Sequence, residues 1–311
     1  MNSMNSTVNT LLIEQCNEWP QCSENYAALK TVEVRDTEVD GYKFKVQFNP
    51  KRIQSSAAKV DPKSIQERKC FLCEINRPEV QRGIPFASKL GNTYTILVNP
   101  FPIFKKHLTI PSVAHTNQLI EGKIGDMLEL ARLLDDFLIF YNGPKCGASA
   151  PDHFHFQAGN KGFLPIEMDI EAILSAHSRQ IEQDVYILKN APANTIVYKS
   201  ANVDAIICWF NQFYAKFKQI SNSEEEPMMN LLSWFQDDYY YLVVYPRKMH
   251  RPSQFFAGGE ENILISPASI DLGGVFITPL EKDFTKITSA DIKDILEQIT
   301  VTPDDLKKLI K

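Results

Sequence analysis

The sharpest pattern in the chain is the alternation at 152–159, Asp-His-Phe-His-Phe-Gln-Ala-Gly. Successive side chains of a strand point to opposite faces. The segment therefore predicts a strand with Phe154 and Phe156 on one surface and His153, His155 and Gln157 on the other. Benzyl groups can be buried; two imidazoles and an amide must meet solvent, a metal or a substrate. Residues 41–49 alternate in the same way and predict another strand. Residues 92–104 and 107–112 predict two strands joined at the Pro-rich bend 100–102, and GGVFITP, 273–279, predicts a late one.

Helical spacing takes over elsewhere. Apolar residues recur at Ile124, Met127, Leu128, Ala131, Leu134, Leu138 and Tyr141, predicting an amphipathic helix over 124–141 that stops at Gly143-Pro144. Residues 166–183 and 203–220 also predict helices, separated by an acidic run, 221–227, read as a solvated loop. Two capped helices are expected in the tail, from Ser289 and from Thr302-Pro303, since Pro suits the first helical position. Residues 1–66 carry few long periodic segments, and 49–64 read as loop. The stretch DDYYYLVVYPRKMHRP, 237–252, echoes NTYTILVNPFPIFKKHLTIP, 92–111: an aromatic-rich strand, a Pro, a basic turn and a His. Strands and helices mix without strict alternation, so the expected class is α+β built from two related halves, with an antiparallel sheet flanked by helices. The expected divisions are an N-terminal extension with the first strands (1–66), a chemistry-bearing half (67–165) and a degenerate second half with C-terminal helices (166–311).

Composition narrows the function. With 33 basic against 38 acidic residues and no extended Lys/Arg cluster, a nucleic-acid surface is not expected. The N-terminus has no basic stretch followed by an apolar core, and no apolar run reaches the roughly 18–20 residues that cross a bilayer. Six cysteines without an export signal point to a reducing, cytoplasmic setting.

Cys70 and Cys73 form a C-x-x-C, which is either half of a tetrahedral zinc site or a redox pair. His107, His115, His153, His155, His177 and His250 are all possible partners, and spacing alone does not choose among them. The turn before the His strand is rich in small residues, Gly143, Gly147, Ala148 and Ser149, which allow close approach of a ligand. Its amides and hydroxyl suit phosphate oxygens. An imidazole beside such a cradle is neutral near pH 7 and is a candidate nucleophile. Arg52 is either a phosphate ligand or a solvated loop residue. Arg247, Lys248, His250 and Arg251 form a basic turn that either reaches a leaving group or is ordinary surface. Trp19, Trp209 and Trp234 are expected as core anchors.

The segment FYNGPKCGASAPDHFHFQAG, 140–159, resembles the active-site motif of the nucleotidyltransferase branch of the histidine-triad superfamily. That branch contains galactose-1-phosphate uridylyltransferases, GDP-hexose phosphorylases and dinucleoside polyphosphate phosphorylases. Flanking segments 96–119, 245–252 and 270–279 are similar to other parts of its duplicated fold, and 42–56 is similar to the N-terminal strand of GDP-hexose phosphorylases. Asp152 makes the motif one residue longer than the uridylyltransferase form. The resemblance implies that His155 is the nucleophile, becoming nucleotidylated in a ping-pong reaction, and that Gln157 holds a phosphoryl oxygen. Gln in place of the hydrolases' third His implies transfer or phosphorolysis. Asn142, Gly147 and Ser149 fall at phosphate-proximal positions. Zinc-bearing members imply a structural Zn²⁺ on Cys70, Cys73, His115 and His153; His107 is the alternative third ligand, and otherwise lines the nucleotide pocket. The implied partners are a nucleotide sugar or dinucleoside polyphosphate, with phosphate or a sugar phosphate as acceptor, no nucleic acid and no membrane; the assemblies allowed include a homodimer. The alternatives are a nucleotide hydrolase of the same fold and a non-catalytic, zinc-stabilised nucleotide-binding protein.

Overall fold

The alternating and fully apolar runs become strands in the computed structural model, which describes residues 3–53 and 62–310. In chain order the strands are β1 Glu33–Val39, β2 Tyr42–Phe48, β3 Gly83–Ala87, β4 Thr93–Val98, β5 His107–Pro111, β6 Phe137–Asn142, β7 His155–Asn160, β8 Ser178–Glu182, β9 Val185–Leu188, β10 Ile196–Ser200, β11 Met229–Gln236, β12 Tyr239–Pro246 and β13 Val275–Thr278. Ten of them form one sheet in the order β3-β4-β5-β7-β6-β11-β12-β10-β9-β8, and every neighbouring pair is antiparallel. Read inward from either edge, each set of five strands has its fourth and fifth members exchanged. The two sets meet where β6 pairs with β11. Each set also carries its long helix at the same place, Ile124–Leu133 between β5 and β6, and Val203–Ser221 between β10 and β11. The fold is thus α+β and internally duplicated.

The large sheet is covered on both faces. One face packs on the helices Ile124–Leu133, Val203–Ser221 and Pro303–Leu309, and it buries Phe154 and Phe156 as the alternation requires. The other packs on β2, β13 and the helices Ser269–Leu272 and Ser289–Ile299. There β1-β2-β13 make a small second sheet with β13 parallel to β2. The β1–β2 and β11–β12 hairpins turn on Asp40-Gly41 and Asp237-Asp238, all four at positive φ, the conformation that the tight turns of hairpins demand.

Several expectations change. The helix begun at Ile124 ends at Leu133, and 137–142 is β6 rather than more helix. Phe137, Ile139 and Tyr141 enter one core, Leu138 and Phe140 the other. A strand buried on both faces shows no alternation, so its apolar run continued the helical spacing by accident. Residues 166–183 break into the helices Pro165–Met168 and Ile170–Ala176 and then strand β8. The first 30 residues hold two helices, Ser3–Glu18 and Pro20–Ala28, whose apolar seam is narrow because buried Asn5 and Gln15 occupy part of it. Of the expected loop at 49–64, residues 54–61 lie outside the described residues; Pro50–Arg52 is a 3₁₀ turn and Pro62–Glu67 a helix. The echo between 92–111 and 237–252 paired unlike strands, since β12 takes the place in its half that β7 takes in the first. The tail helices are capped by Thr288 and Thr302, each accepting a backbone N–H. No helix among the described residues is long and apolar enough to cross a membrane.

Gly159 on β7 lies under Phe104; a Cβ there would fall 2.4 Å from the ring. Overpacking a rigid core typically costs about 1–3 kcal/mol. Gly159→Ala should lower stability by that amount in denaturant unfolding, and an unchanged midpoint would contradict this packing.

Candidate active site

Beside β7, on the face away from Phe154 and Phe156, lies a cavity of about 460 Å³. That is a normal size for a small-molecule site. Its lining includes His155, Gln157, Asn142, Gly147, Ser149 and Arg52, six of the residues singled out from sequence, together with Trp19, Phe101 and Phe140. His107 stands behind Gln157, and Cys70, Cys73, His115 and His153 form a separate group. Trp234 and Trp19 are core anchors as expected, Trp19 packing with Leu11, Cys22 and Val98 and also lining the cavity, while Trp209 is half-buried.

The protonation of His155 follows from its neighbours. Nδ1 lies 2.9 Å from the carbonyl of His153, and a carbonyl can only accept, so Nδ1 carries the proton. Burial pushes the imidazole down to about 4, which keeps it neutral near pH 7. Nε2 then holds a lone pair and belongs to a ring that lines the cavity. The backbone of His155 is clamped as well. Gln118 Oε1 accepts its N–H at 2.7 Å, and Gln118 Nε2 donates to its carbonyl at 2.9 Å and to that of Asn142 at 3.1 Å.

The two amides flanking His155 are oriented by similar logic. His107 Nδ1 accepts the Ile103 N–H at 3.1 Å, so its proton sits on Nε2, which donates to Gln157 Oε1 at 3.1 Å. Burial first, then the nearby Arg52 charge, push His107 down to about 3, so this tautomer stays neutral. Gln157 must therefore turn its NH₂ away from His107. Asn142 Oδ1 accepts from Asn230 Nδ2 (2.8 Å), Ser269 N (3.0 Å) and Ser269 Oγ (2.6 Å). Its NH₂ points the other way. Both amides offer donors to a cavity that both side chains line.

Three polar residues from the second half change the reading of their segments. Arg247 is 2% exposed and spends its guanidinium on Asn230 Oδ1 and on the carbonyls of Pro267, Met249 and His250. It is a buried support for Asn230 rather than a mobile hand in a basic turn. Asn230 in turn supports Asn142. Glu226, from the acidic run read as solvated, is 5% exposed. Its Oε2 accepts the Ile120 N–H, and its Oε1 lies 2.6 Å from Tyr141 Oη, which is also 2.9 Å from the carbonyl of Gln118, so the single phenolic proton serves one of the two acceptors at a time. Burial pushes its carboxyl up to about 7, while Tyr141, Ile120 and Lys123 pull it back. Glu226, Tyr141 and Gln118 thus form a continuous brace behind His155. Arg52 donates to the carbonyl of Phe101 at 2.8 Å and faces the cavity.

The Cys/His group is compact. The ligand atoms of Cys70, Cys73, His115 and His153 lie within 4.8 Å of one another. Nδ1 of His153 is 3.2 Å from Cys70 Sγ, and Nδ1 of His115 is 3.1 Å from Cys73 Sγ. Nε2 of His153 lies 2.8 Å from the Ser112 carbonyl, the outer bond that presents Nδ1 as a ligand. The four residues could hold a metal ion. His115 is among them and His107 is not.

Residues 11–160 match a family described as a domain of unknown function, DUF4922. No curated protein matches the chain. Among solved structures, yeast Ap4A phosphorylase Apa2 superposes with a TM-score of 0.61 at 14% identity, over 91% of this chain and 97% of that one. The chain has the Apa2 fold. Apa2 solved with AMP superposes at 0.56 with 14% identity, and Apa2 with Ap4A at 0.56 with 15%, over the same shares.

Glu226 generates a pH test. A carboxyl whose folded pKa is raised stabilises the fold while protonated; that contribution is full below the ordinary carboxylate range and lost as pH rises through about 7. The stability advantage of the wild type over Glu226→Gln should therefore shrink from about pH 5 to about pH 8, by up to about 3 kcal/mol. Parallel stability curves for the two proteins would place Glu226 in solvent.

Proposed function

We propose that the chain transfers nucleotidyl groups through His155, acting as a phosphorylase on a dinucleoside polyphosphate, with a nucleotide sugar as the second substrate class. One observation carries this reading: a neutral imidazole, its Nδ1–H tied to the His153 carbonyl, lines a cavity with two amide groups whose oxygens are engaged elsewhere. The shared fold with an Ap4A phosphorylase, solved also with AMP and with Ap4A, supports it.

The chemistry is a double displacement. Nε2 of His155 attacks the α-phosphorus; an N–P bond forms as the P–O bond to the rest of the phosphate chain breaks, and that chain leaves with the bonding electrons. The imidazole gains positive charge as the bond forms, and the His153 carbonyl stabilises it through Nδ1–H. Gln157 and Asn142 donate to the phosphoryl oxygens, where charge develops. Inorganic phosphate, or a sugar phosphate for a nucleotide-sugar substrate, then attacks the same phosphorus, breaking the N–P bond and restoring His155. Gln157 cannot exchange a proton near neutral pH, which leaves an incoming water without a general base at this position and favours transfer over hydrolysis. Ser149 and Gly147 form the turn beside the phosphates, and Arg52 supplies positive charge. In this reading residues 67–165 are the catalytic half, 166–311 the supporting half, and 1–66 an extension that closes the cavity with Trp19.

Two thiolates and two imidazoles suit a borderline-soft ion, and we assign Zn²⁺ to Cys70, Cys73, His115 and His153. With four protein ligands it would be structural, pinning the segment two residues before His155. Protein purified without chelator should contain about one zinc per chain, and Cys70→Ser should lose metal and melt earlier. Metal-free wild-type protein with an unchanged melting point would remove the ion from the scheme.

Trapping tests the nucleophile. With dinucleoside polyphosphate labelled at the α-phosphorus and no acceptor, label should accumulate on the protein and discharge when phosphate is added. His155→Ala should bind AMP and melt close to wild type, yet take up no label. Free turnover without acceptor would identify a hydrolase, and undiminished function of His155→Ala would identify a binding protein.

A further inference from the structure

Arg68 stands between the cavity and the Cys/His group, and nothing in the spacing of the sequence marks it. Its Nη2 donates to Asp152 Oδ1 at 2.6 Å and lies 3.4 Å from the carbonyl of Ser149, while the guanidinium sits 5.0 Å over the Phe71 ring. Nη1 is buried with no hydrogen-bond partner among the described residues, although the side chain lines the cavity. A buried guanidinium N–H left unpaired is costly, so this edge is set for an acceptor that arrives with the ligand. The cavity's other arginine, Arg52, adds a second positive charge. Its one lining carboxylate, Asp271, accepts the backbone N–H groups of Ala268 and Ile277. Two arginines line the cavity against this one carboxylate, with Asp152 pairing Arg68 from behind, so the lining fits a ligand carrying negative charge.

Asp152 faces two ways. Oδ1 holds Arg68, and Oδ2 lies 3.9 Å from His115 Nε2, the ring nitrogen opposite the one that faces Cys73. We propose that Arg68 binds the phosphate chain beyond the β-phosphate of a substrate whose α-phosphorus His155 attacks, and that Asp152 sets its aim. This rests on the cavity being a nucleotide site. It makes Arg68 a specificity residue: a leaving group that is itself a phosphate chain reaches the fork, whereas the sugar of a nucleoside diphosphate sugar presents no equivalent oxyanion. Aspartate holds the fork in plane.

Calorimetric binding of inorganic tripolyphosphate, AMP and a nucleoside diphosphate sugar to full-length protein tests this. Arg68→Gln should weaken tripolyphosphate by roughly ten- to a hundredfold, the worth of a charge-assisted hydrogen bond, with AMP and the diphosphate sugar changed less than about threefold and metal content unchanged. Arg68→Lys, which keeps the charge but not the fork, should fall between the two. Asp152→Asn should weaken tripolyphosphate while retaining Arg68. Wild-type affinity for tripolyphosphate in Arg68→Gln, or equal losses on all three ligands, would overturn the assignment while leaving the nucleotide site intact. Failure of the wild type to bind AMP or tripolyphosphate would overturn both.

Discussion

The site depends on a single hydrogen bond, from Nδ1 of His155 to the carbonyl two residues back. A buried neutral imidazole has one proton, and placing it on Nδ1 decides that Nε2 is the basic atom. Everything nearby serves to keep that choice. Gln118 grips both backbone groups of His155 and the carbonyl of Asn142, so β6 and β7 cannot slide relative to each other without breaking three bonds. The same device recurs in His107, whose acceptance of the Ile103 N–H forces a proton onto the nitrogen facing Gln157. Proton positions across the cavity are thus dictated by backbone groups, which do not titrate.

The parts of this arrangement that lie close together in sequence could be read from it. The alternation at 152–159 placed the two Phe in the core and His155 and Gln157 on the other face; the thiol pair falls in a Cys/His group that could hold a metal ion; and strands formed within the stretches expected at 41–49, 92–104, 107–112 and 273–279, the second ending early at Val98. What escaped depends on distant partners. Gln118 meets His155 across 37 positions and Glu226 meets Ile120 across 106. In both cases the residue type is unremarkable until the sheet is assembled. An acidic run reads as solvated because three carboxylates together repel, yet only Glu226 turns inward. Strand β6 was hidden because both of its faces are buried, which erases the period of two.

The second half supplies supports for residues of the first and part of the cavity wall. Asn230, Ser269 and Arg247 all come from it, and together they hold Asn142. A residue of one half is therefore oriented by three of the other, across the seam where β6 pairs with β11.

Duplication would ordinarily create twin cavities. On β12, the counterpart of β7, the side chains facing the same layer as His155 and Gln157 are Tyr241, Val243 and Tyr245, all buried, and Tyr241 stacks on Trp234 with ring centres 5.1 Å apart. Aromatic rings fill the face of β12 that corresponds to the His155 face of β7. The two halves of the sheet thus share a topology and differ in filling: one keeps a cavity beside its exchanged strand, and the other packs that strand's face with aromatic rings.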